Sequence, residues 1–180
     1  MNPDRDGTER YSPLAIAIHW IVALCVIGLV PAGLVMARMN EGAAQDRLYT
    51  IHVSVGLIVL ALSLLRVGMF LAGRMPEPAN VLTPFERTMS RLAHATMYLL
   101  LIVTPWIGWL GVNAYGDDVT FFDLVRMPSL AARDENLSNE LFVMHFACAL
   151  LIASVVVAHL TGALAHALRR DGVNARMRPF

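Results

Sequence analysis

Residues 141–166 read LFVMHFACALLIASVVVAHLTGALAH, an almost wholly apolar stretch that nonetheless contains His145, His159 and His166. A helix rises ~1.5 Å per residue, so a run of this length can cross the ~30 Å hydrocarbon core of a bilayer. The first two histidines are 14 residues apart, and the third follows after 7 more. Because 14 steps of about 100° leave a rotation of only about 40°, His145 and His159 project from one face of the helix.

Three more apolar stretches of comparable length precede this one, and together they predict four helices. The approximate bounds are residues 14–37, 48–72, 92–112 and 141–168. Charged residues make up 16% of the 180-residue chain, against about 25% in soluble domains, so much of the surface should face lipid. A backbone in hydrocarbon must satisfy its own hydrogen bonds, which favours helices. We therefore predict an all-α fold, a transmembrane four-helix bundle that residues 1–180 form as a single membrane domain.

The polar segments before and between the apolar stretches differ in character. The N-terminal MNPDRDGTERYS is polar, and the apolar run after it is too long for a removed signal peptide, so that run should be a retained membrane segment. The second connection contains Pro76, Pro78 and Pro84 and should be extended before the third helix. The third connection, from about residue 113 to 140, is the longest. Its FFDLVRMP sequence predicts a short amphipathic helix on the membrane surface.

All 14 basic residues are arginines, and their distribution orients the bundle. With the N-terminus inside, ten arginines fall in inner segments and four in outer segments. The inner group is Arg5, Arg10, Arg66, Arg74, Arg87, Arg91, Arg169, Arg170, Arg176 and Arg178, and the outer group is Arg38, Arg47, Arg126 and Arg133. Cytoplasmic segments of membrane proteins are enriched in arginine and lysine, so we predict that both termini are cytoplasmic.

The composition also excludes several kinds of function. The formal net charge is zero and the sequence has no nucleic-acid-binding motif, so no nucleic-acid partner is expected. The chain has no lysine, which excludes Schiff-base and P-loop chemistry. Cys25 and Cys148 each lie inside an apolar run, which favours small buried side chains over a disulfide or a CxxC metal site.

All six histidines lie in predicted membrane helices, where polar side chains are costly and usually functional. By depth, four of them form two pairs: His52 with His145 on the outer side, and His19 with His159 on the inner side. The 14-residue spacing separates the two levels by ~21 Å, too far for one metal centre but suitable for two stacked haems. Histidines from facing helices suit the axial positions of a haem iron. Zinc would need more ligands at one depth, and no cysteine or carboxylate cluster favours copper or di-iron.

Four segments of the chain carry a resemblance to a known family. They are RYSPLAIAIHW at residues 10–20, YTIHVSVGLIVLALSLLR at 49–66, RLAHATMYLLLIVTPWIGWL at 91–110, and the His-x13-His of the fourth helix. Over nearly the whole chain they resemble the bacterial cytochrome b561 family and the related di-haem b subunits of formate dehydrogenases and nickel-iron hydrogenases. The resemblance implies a multi-pass protein of the bacterial inner membrane that binds two b-type haems. It would pass electrons between a quinone pool and a second redox partner.

The same resemblance assigns the ligands and suggests a reaction. It implies that His52 and His145 hold the outer haem, and that His19 and His159 hold the inner haem. Some stand-alone members of the family resemble superoxide:ubiquinone oxidoreductases, which take electrons from superoxide outside and reduce ubiquinone near the inner haem. A short chain with no appended domain would fit that group.

Several further residues are candidates for binding roles on the inner side. Arg66 lies deep in the second helix, where it would pair with a haem propionate or else snorkel to the interface. His94 and His166 would bind a propionate or a quinone carbonyl, or relay protons; the alternative is an imidazole among lipid headgroups. Aromatic residues near the helix ends are typical of a membrane-interface belt, and the alternative is an electron route: Trp20, Trp106, Trp109 and Tyr115.

Three classes of function remain open at this level. The first is a di-haem b cytochrome that transfers electrons from a periplasmic donor, superoxide in the enzyme version, to ubiquinone. The second is a haem-carrying anchor or electron-transfer subunit that docks a periplasmic dehydrogenase or small cytochrome, and the third is a transporter or sensor with structural histidines. The acidic third connection should repel superoxide and favours the second class. Its charges are Asp117, Asp118, Asp123, Asp134, Glu135 and Glu140 against Arg126 and Arg133.

Overall fold

Four long helices dominate the computed structural model, which describes residues 10–76, 79 and 81–178. They are α1 (Pro13–Met36), α2 (Ala43–Leu71), α3 (Pro84–Tyr115) and α4 (Glu135–Arg169). Each is long and apolar enough to cross a membrane, so the predicted all-α four-helix architecture is confirmed. Two residues named in the predictions lie outside the described residues: Arg5, which supports the orientation, and Pro78, which belongs to the second connection.

The helices pack mainly in chain order. α1 packs on α2, α2 on α3 and, most extensively, α3 on α4. Val26, Val59, Leu101 and Ile152 are buried where the helices meet, whereas large apolar side chains such as Leu24 are exposed on the outside of the bundle. Lipid tails are as apolar as leucine, so an apolar outer surface around a small buried core is stable only in a membrane-like solvent.

The start of α3 differs from the prediction because its first turn is polar but well capped. The helix begins at Pro84 instead of near residue 92, and Pro84 is therefore its first residue and not part of the extended connection. The side chain of Thr83 accepts the Glu86 N–H (3.2 Å), and the Glu86 carboxylate accepts the Thr83 N–H (2.9 Å). This reciprocal capping box satisfies two backbone donors that would otherwise have no partner in the first turn.

The helices α2 and α4 also begin earlier than the apolar pattern predicts. α4 begins at Glu135 instead of near residue 141, because Asp134 Oδ1 accepts the Leu137 N–H (3.1 Å). α2 begins at Ala43 instead of near residue 48. An apolar pattern detects only the part of a helix that lies in hydrocarbon, and polar turns that project from it escape detection.

The predicted amphipathic helix in the third connection is wrong. Its place is taken by an antiparallel hairpin of β1 (Thr120–Phe121) and β2 (Val125–Arg126). Two consecutive residues, Phe122 and Asp123, have left-handed backbone angles (φ 50° and 58°) and reverse the chain between the strands. The Phe122 N–H donates to Ser54 Oγ of α2 (2.7 Å). The bundle thereby supplies a partner for a backbone N–H that would have bonded within the helix if this segment were helical.

The chain reverses direction again after α4. Arg170 (φ 54°) and Gly172 (φ 83°) have left-handed backbone angles, which end the helix and lead into a 3-10 turn, Val173–Met177. We call residues 171–178 the C-terminal return. The end of the bundle where the return lies is called inner, and the opposite end, which carries the hairpin, is called outer.

Candidate functional site

The outer pair of histidines is brought together from α2 and α4, as the sequence predicts. The ring centres of His52 and His145 are 6.2 Å apart, and the ring planes meet at 62°. His145 Nδ1 lies 3.0 Å from the carbonyl oxygen of Thr104 in α3. Because a carbonyl only accepts, Nδ1 carries the proton, which leaves Nε2 of His145 available to a metal. This is the usual arrangement of a ligating histidine, whose second nitrogen donates to a carbonyl or carboxylate.

Two glycines make room for these rings. A Cβ atom at Gly108 would lie 3.0 Å from His145 Nδ1, and a Cβ atom at Gly33 would lie 3.2 Å from His52 Cε1. Both distances are shorter than ordinary van der Waals contact, so a side chain at either position would push the imidazole aside. The sequence pattern does not identify these two positions, although each glycine is a small residue in an apolar helix, where close approach is common.

An apolar cavity opens between the helices beside the outer pair. Its walls include both imidazoles and the side chains of Leu101, Val119 and Phe142. Val119, only 1% exposed, comes from the third connection and closes the cavity at the outer end. His52 Nδ1 is buried and has no hydrogen-bond partner among the described residues. A buried polar atom without a partner at the wall of a cavity is a costly arrangement unless a ligand supplies the missing interaction.

The inner pair comes from α1 and α4, and it has a third imidazole beside it. The ring centres of His19 and His159 are again 6.2 Å apart at 62°. The ring of His94 from α3 lies 5.5 Å from that of His159, and its Nδ1 is 2.6 Å from the carbonyl oxygen of Ser90. His94 therefore belongs to the inner cluster, although its side chain is partly exposed at the surface of the bundle.

Arg66 of α2 turns into the bundle next to the inner cluster. It is only 8% exposed, which argues against the predicted alternative of snorkelling to the interface. Its Nε donates to the Tyr98 hydroxyl (2.9 Å), and its guanidinium carbon lies 5.9 Å from the centre of the Tyr98 ring. The guanidinium is also close enough to His19, His94 and His159 to act on them electrostatically. Tyr98 follows His94 by one helical turn, a spacing that places both on one face of α3.

His166 lies apart from the inner cluster and pairs with a carboxylate. Its Nδ1 is 2.6 Å from Asp171 Oδ2, and both side chains are largely buried. This hydrogen bond holds the pKa of the Asp171 carboxyl below its usual value. His166 also borders a pocket at the inner end, together with Arg170, Asn174 and Arg178.

The two pairs have the separation that a haem iron requires. Two iron–imidazole bonds of about 2 Å, plus about 1.2 Å from each nitrogen to its ring centre, give about 6.4 Å, close to the two observed separations. Among the described residues, no group of three or more His, Cys, Asp or Glu side chains is arranged to hold a metal ion. A metal at either pair would need other equatorial ligands, and a porphyrin supplies four.

Paired imidazoles inside an apolar four-helix bundle are the arrangement of a membrane cytochrome of the b type. A family model described as prokaryotic cytochrome b561 matches residues 10–180, and the chain belongs to this family. It is accordingly a haem-containing electron-transfer protein that crosses the bacterial inner membrane several times.

Individual relatives support the same family membership. The chain is 26% identical over 159 residues to cytochrome b561 homolog 2 of Escherichia coli K12, which covers 88% of this chain and 85% of the relative. It is 29% identical over 174 residues to the probable superoxide oxidase CybB of Yersinia pestis, and the alignment spans 95% of this chain and 97% of the relative. It is 31% identical over 113 residues to cytochrome b562 of Cereibacter sphaeroides, and the alignment spans 58% of this chain and 70% of the relative.

The close contact at Gly108 can be tested by adding one methyl group. Gly108→Ala should lower the haem-to-protein ratio of the purified protein, because the new Cβ displaces His145. Gly28→Ala is the matched control, since a Cβ atom at Gly28 meets no heavy atom within 4 Å. Absorbance of haem relative to protein measures both. Equal haem content in Gly108→Ala and the wild type would show that the close contact between Gly108 and His145 does not control haem binding.

Proposed function

We propose that the protein binds two b-type haems, the outer one between His52 and His145 and the inner one between His19 and His159. The observation that carries this proposal is the identical 6.2 Å separation of two imidazole pairs at different depths of the bundle. The single membrane domain and the cytoplasmic position of both termini are part of the proposal. Ten arginines in inner segments against four in outer segments support that orientation.

The protein side chains favour electron transfer over oxygen binding. An iron held by two histidines has no open coordination position, so it supplies reversible one-electron transfer when bound. The cavity beside the outer pair is lined mainly by apolar side chains, which disfavour water there. The hydrogen bond from His145 to the Thr104 carbonyl fixes the ring orientation and makes the ligating nitrogen more basic.

Arg66 is the proposed partner of an anionic group at the inner site, a haem propionate. A buried guanidinium needs a counter-charge, and its described partner, the Tyr98 hydroxyl, is neutral. His19, His94 and His159 supply no negative charge either. A propionate would complete this arrangement.

The proposed electron acceptor is ubiquinone at the inner end of the bundle. Quinone reduction consumes protons, and the inner end offers imidazoles and a pocket bordered by His166, Arg170 and Asn174. His94 adds an imidazole beside the inner pair. We propose that these histidines bind the quinone carbonyls or deliver protons to them.

The proposed electron donor is periplasmic, and two kinds of donor compete. The name of the Yersinia pestis relative, probable superoxide oxidase, favours superoxide and an oxidoreductase activity. The outer end favours a basic redox protein, because the connection between α3 and α4 and the first two turns of α4 together carry six acidic residues and two arginines. Those arginines are also neutralised by ion pairs, Arg126 with Asp118 and Arg133 with Glu135. The alternative function is therefore a haem-carrying anchor that docks a periplasmic dehydrogenase or small cytochrome.

The ligand assignment predicts which haem each histidine variant loses. His145→Ala should remove the outer haem alone and His159→Ala the inner haem alone, so that each halves the haem-to-protein ratio. His166→Ala is the control and should keep both haems, because His166 lies outside both pairs. A ratio of two haems per chain in either ligand variant would show that the assignment is wrong.

The donor can be identified by stopped-flow spectroscopy. A pulse of superoxide should reduce the haem at a nearly diffusion-limited rate, and added ubiquinone should then reoxidise it. Absence of haem reduction would reject the superoxide oxidase function. In that case a small basic cytochrome should exchange electrons with the haem at a rate that falls steeply with ionic strength, because the acidic outer connection attracts it.

A further inference from the structure

The inner pair joins two helices that have little direct contact with each other. α1 packs mainly on α2, and α4 packs mainly on α3, so the interface between α1 and α4 is small. Yet His19 of α1 and His159 of α4 are as well spaced as the outer pair. A segment of the chain that contacts both helices at the inner end would add to this small direct interface.

The C-terminal return is fixed to α4 at its beginning. Asn174 Nδ2 donates to the carbonyl oxygen of Ala163 (2.6 Å), one turn after the inner ligand His159. The Asp171 carboxylate accepts hydrogen bonds from His166 of α4 (2.6 Å) and from the Val173 N–H (3.2 Å). These bonds turn the chain back over the end of α4 instead of leaving it in solvent.

The return is fixed to α1 at its other end. The indole N–H of Trp20 donates to the carbonyl oxygen of Met177 (2.9 Å), and the Tyr11 N–H donates to the carbonyl oxygen of Arg176 (3.3 Å). The Arg176 guanidinium is buried and lies 5.6 Å from the centre of the Tyr11 ring. The return therefore bridges the end of α4 and the start of α1.

Trp20 connects this bridge to the inner ligand. It follows His19 in the chain, and the two rings are in edge contact with centres 5.6 Å apart. Movement of the Trp20 indole would therefore move the His19 imidazole. We infer that the C-terminal return is a brace that sets the His19–His159 separation, and that Trp20 is the positioning residue through which it acts on His19. The inference rests on the proposed ligand role of the inner pair.

The test weakens the brace at each end with mild substitutions. Trp20→Phe keeps an aromatic ring but loses the donor to Met177, and Asn174→Ala loses the donor to Ala163. Trp109→Phe is the matched control, because the Trp109 indole also donates to a backbone carbonyl, that of Pro128 (3.2 Å), but at the outer end. The His145→Ala variant, which should hold the inner haem alone, identifies the inner signal in the spectra.

Two properties of the bound haem should change at the inner site only. Haem transfer from the inner site to apomyoglobin should become roughly two- to tenfold faster in Trp20→Phe and in Asn174→Ala, the range that loss of one hydrogen bond gives. The inner low-spin signal in electron paramagnetic resonance should also shift, because the His19 ring reorients. Trp109→Phe should leave the inner signal unchanged. The inference would be overturned if both brace variants released the inner haem at the wild-type rate and showed an unshifted inner signal. It would also be overturned if haem release became faster by the same factor at the inner and outer sites.

A distance measurement tests the brace independently of haem. Nitroxide labels at Leu14→Cys and Leu164→Cys, both exposed near the inner end, report the separation of α1 and α4 after Cys25 and Cys148 are replaced by alanine. The distance distribution should broaden in Trp20→Phe and Asn174→Ala but not in Trp109→Phe. An unchanged distribution would overturn the brace. Absence of haem at the inner pair in the otherwise unmodified protein would instead refute the ligand proposal.

Discussion

Burial of imidazoles in hydrocarbon is the constraint on which the rest of this structure depends. A polar ring inside a membrane is costly unless it has a partner, and six of them lie in the four helices. In the bundle, four of the rings lie in two facing pairs. Glycines at the outer pair let its rings approach the neighbouring helices closely. The backbone carbonyls of Thr104 and Ser90, both in α3, accept hydrogen bonds from His145 and His94 and so fix the orientation of these two imidazoles. Both pairs have the same separation between ring centres, 6.2 Å, which is the observation behind the proposed haem sites.

The two ends of the bundle close their sites by different means. At the outer end the hairpin connection packs over the cavity through Val119 and is fastened to α2 through Ser54. At the inner end the C-terminal return joins α4 to α1 through hydrogen bonds that lie close in the chain to His19 and His159. The outer surface is acidic and the inner segments are rich in arginine. The arginine bias follows from membrane orientation, and the acidic outer end would attract a basic electron donor.

The sequence predicts the architecture and the pairs well because both follow from simple periodicities. Apolar run length gives four helices, and the spacing of His145 and His159 gives two levels on one face. The apolar pattern does not detect the polar first turns of α3 and α4, although their caps are local contacts between residues three apart. The hairpin in place of an amphipathic helix and the fit of Gly108 against His145 depend on tertiary contact, which the pattern does not contain. The position of His94 next to His159 was also beyond reach, because the depth of a residue does not fix which helices face each other.

The most direct test of this account is electron paramagnetic resonance of the purified, oxidised protein, with the haem-to-protein ratio measured on the same sample. We expect two haems per chain and two low-spin ferric signals, because the proposed ligation gives each iron two imidazole ligands. His52→Ala should remove one signal and His19→Ala the other. A single haem per chain, or a high-spin signal from an iron with an open position in the intact protein, would contradict the proposal of two bis-histidine sites.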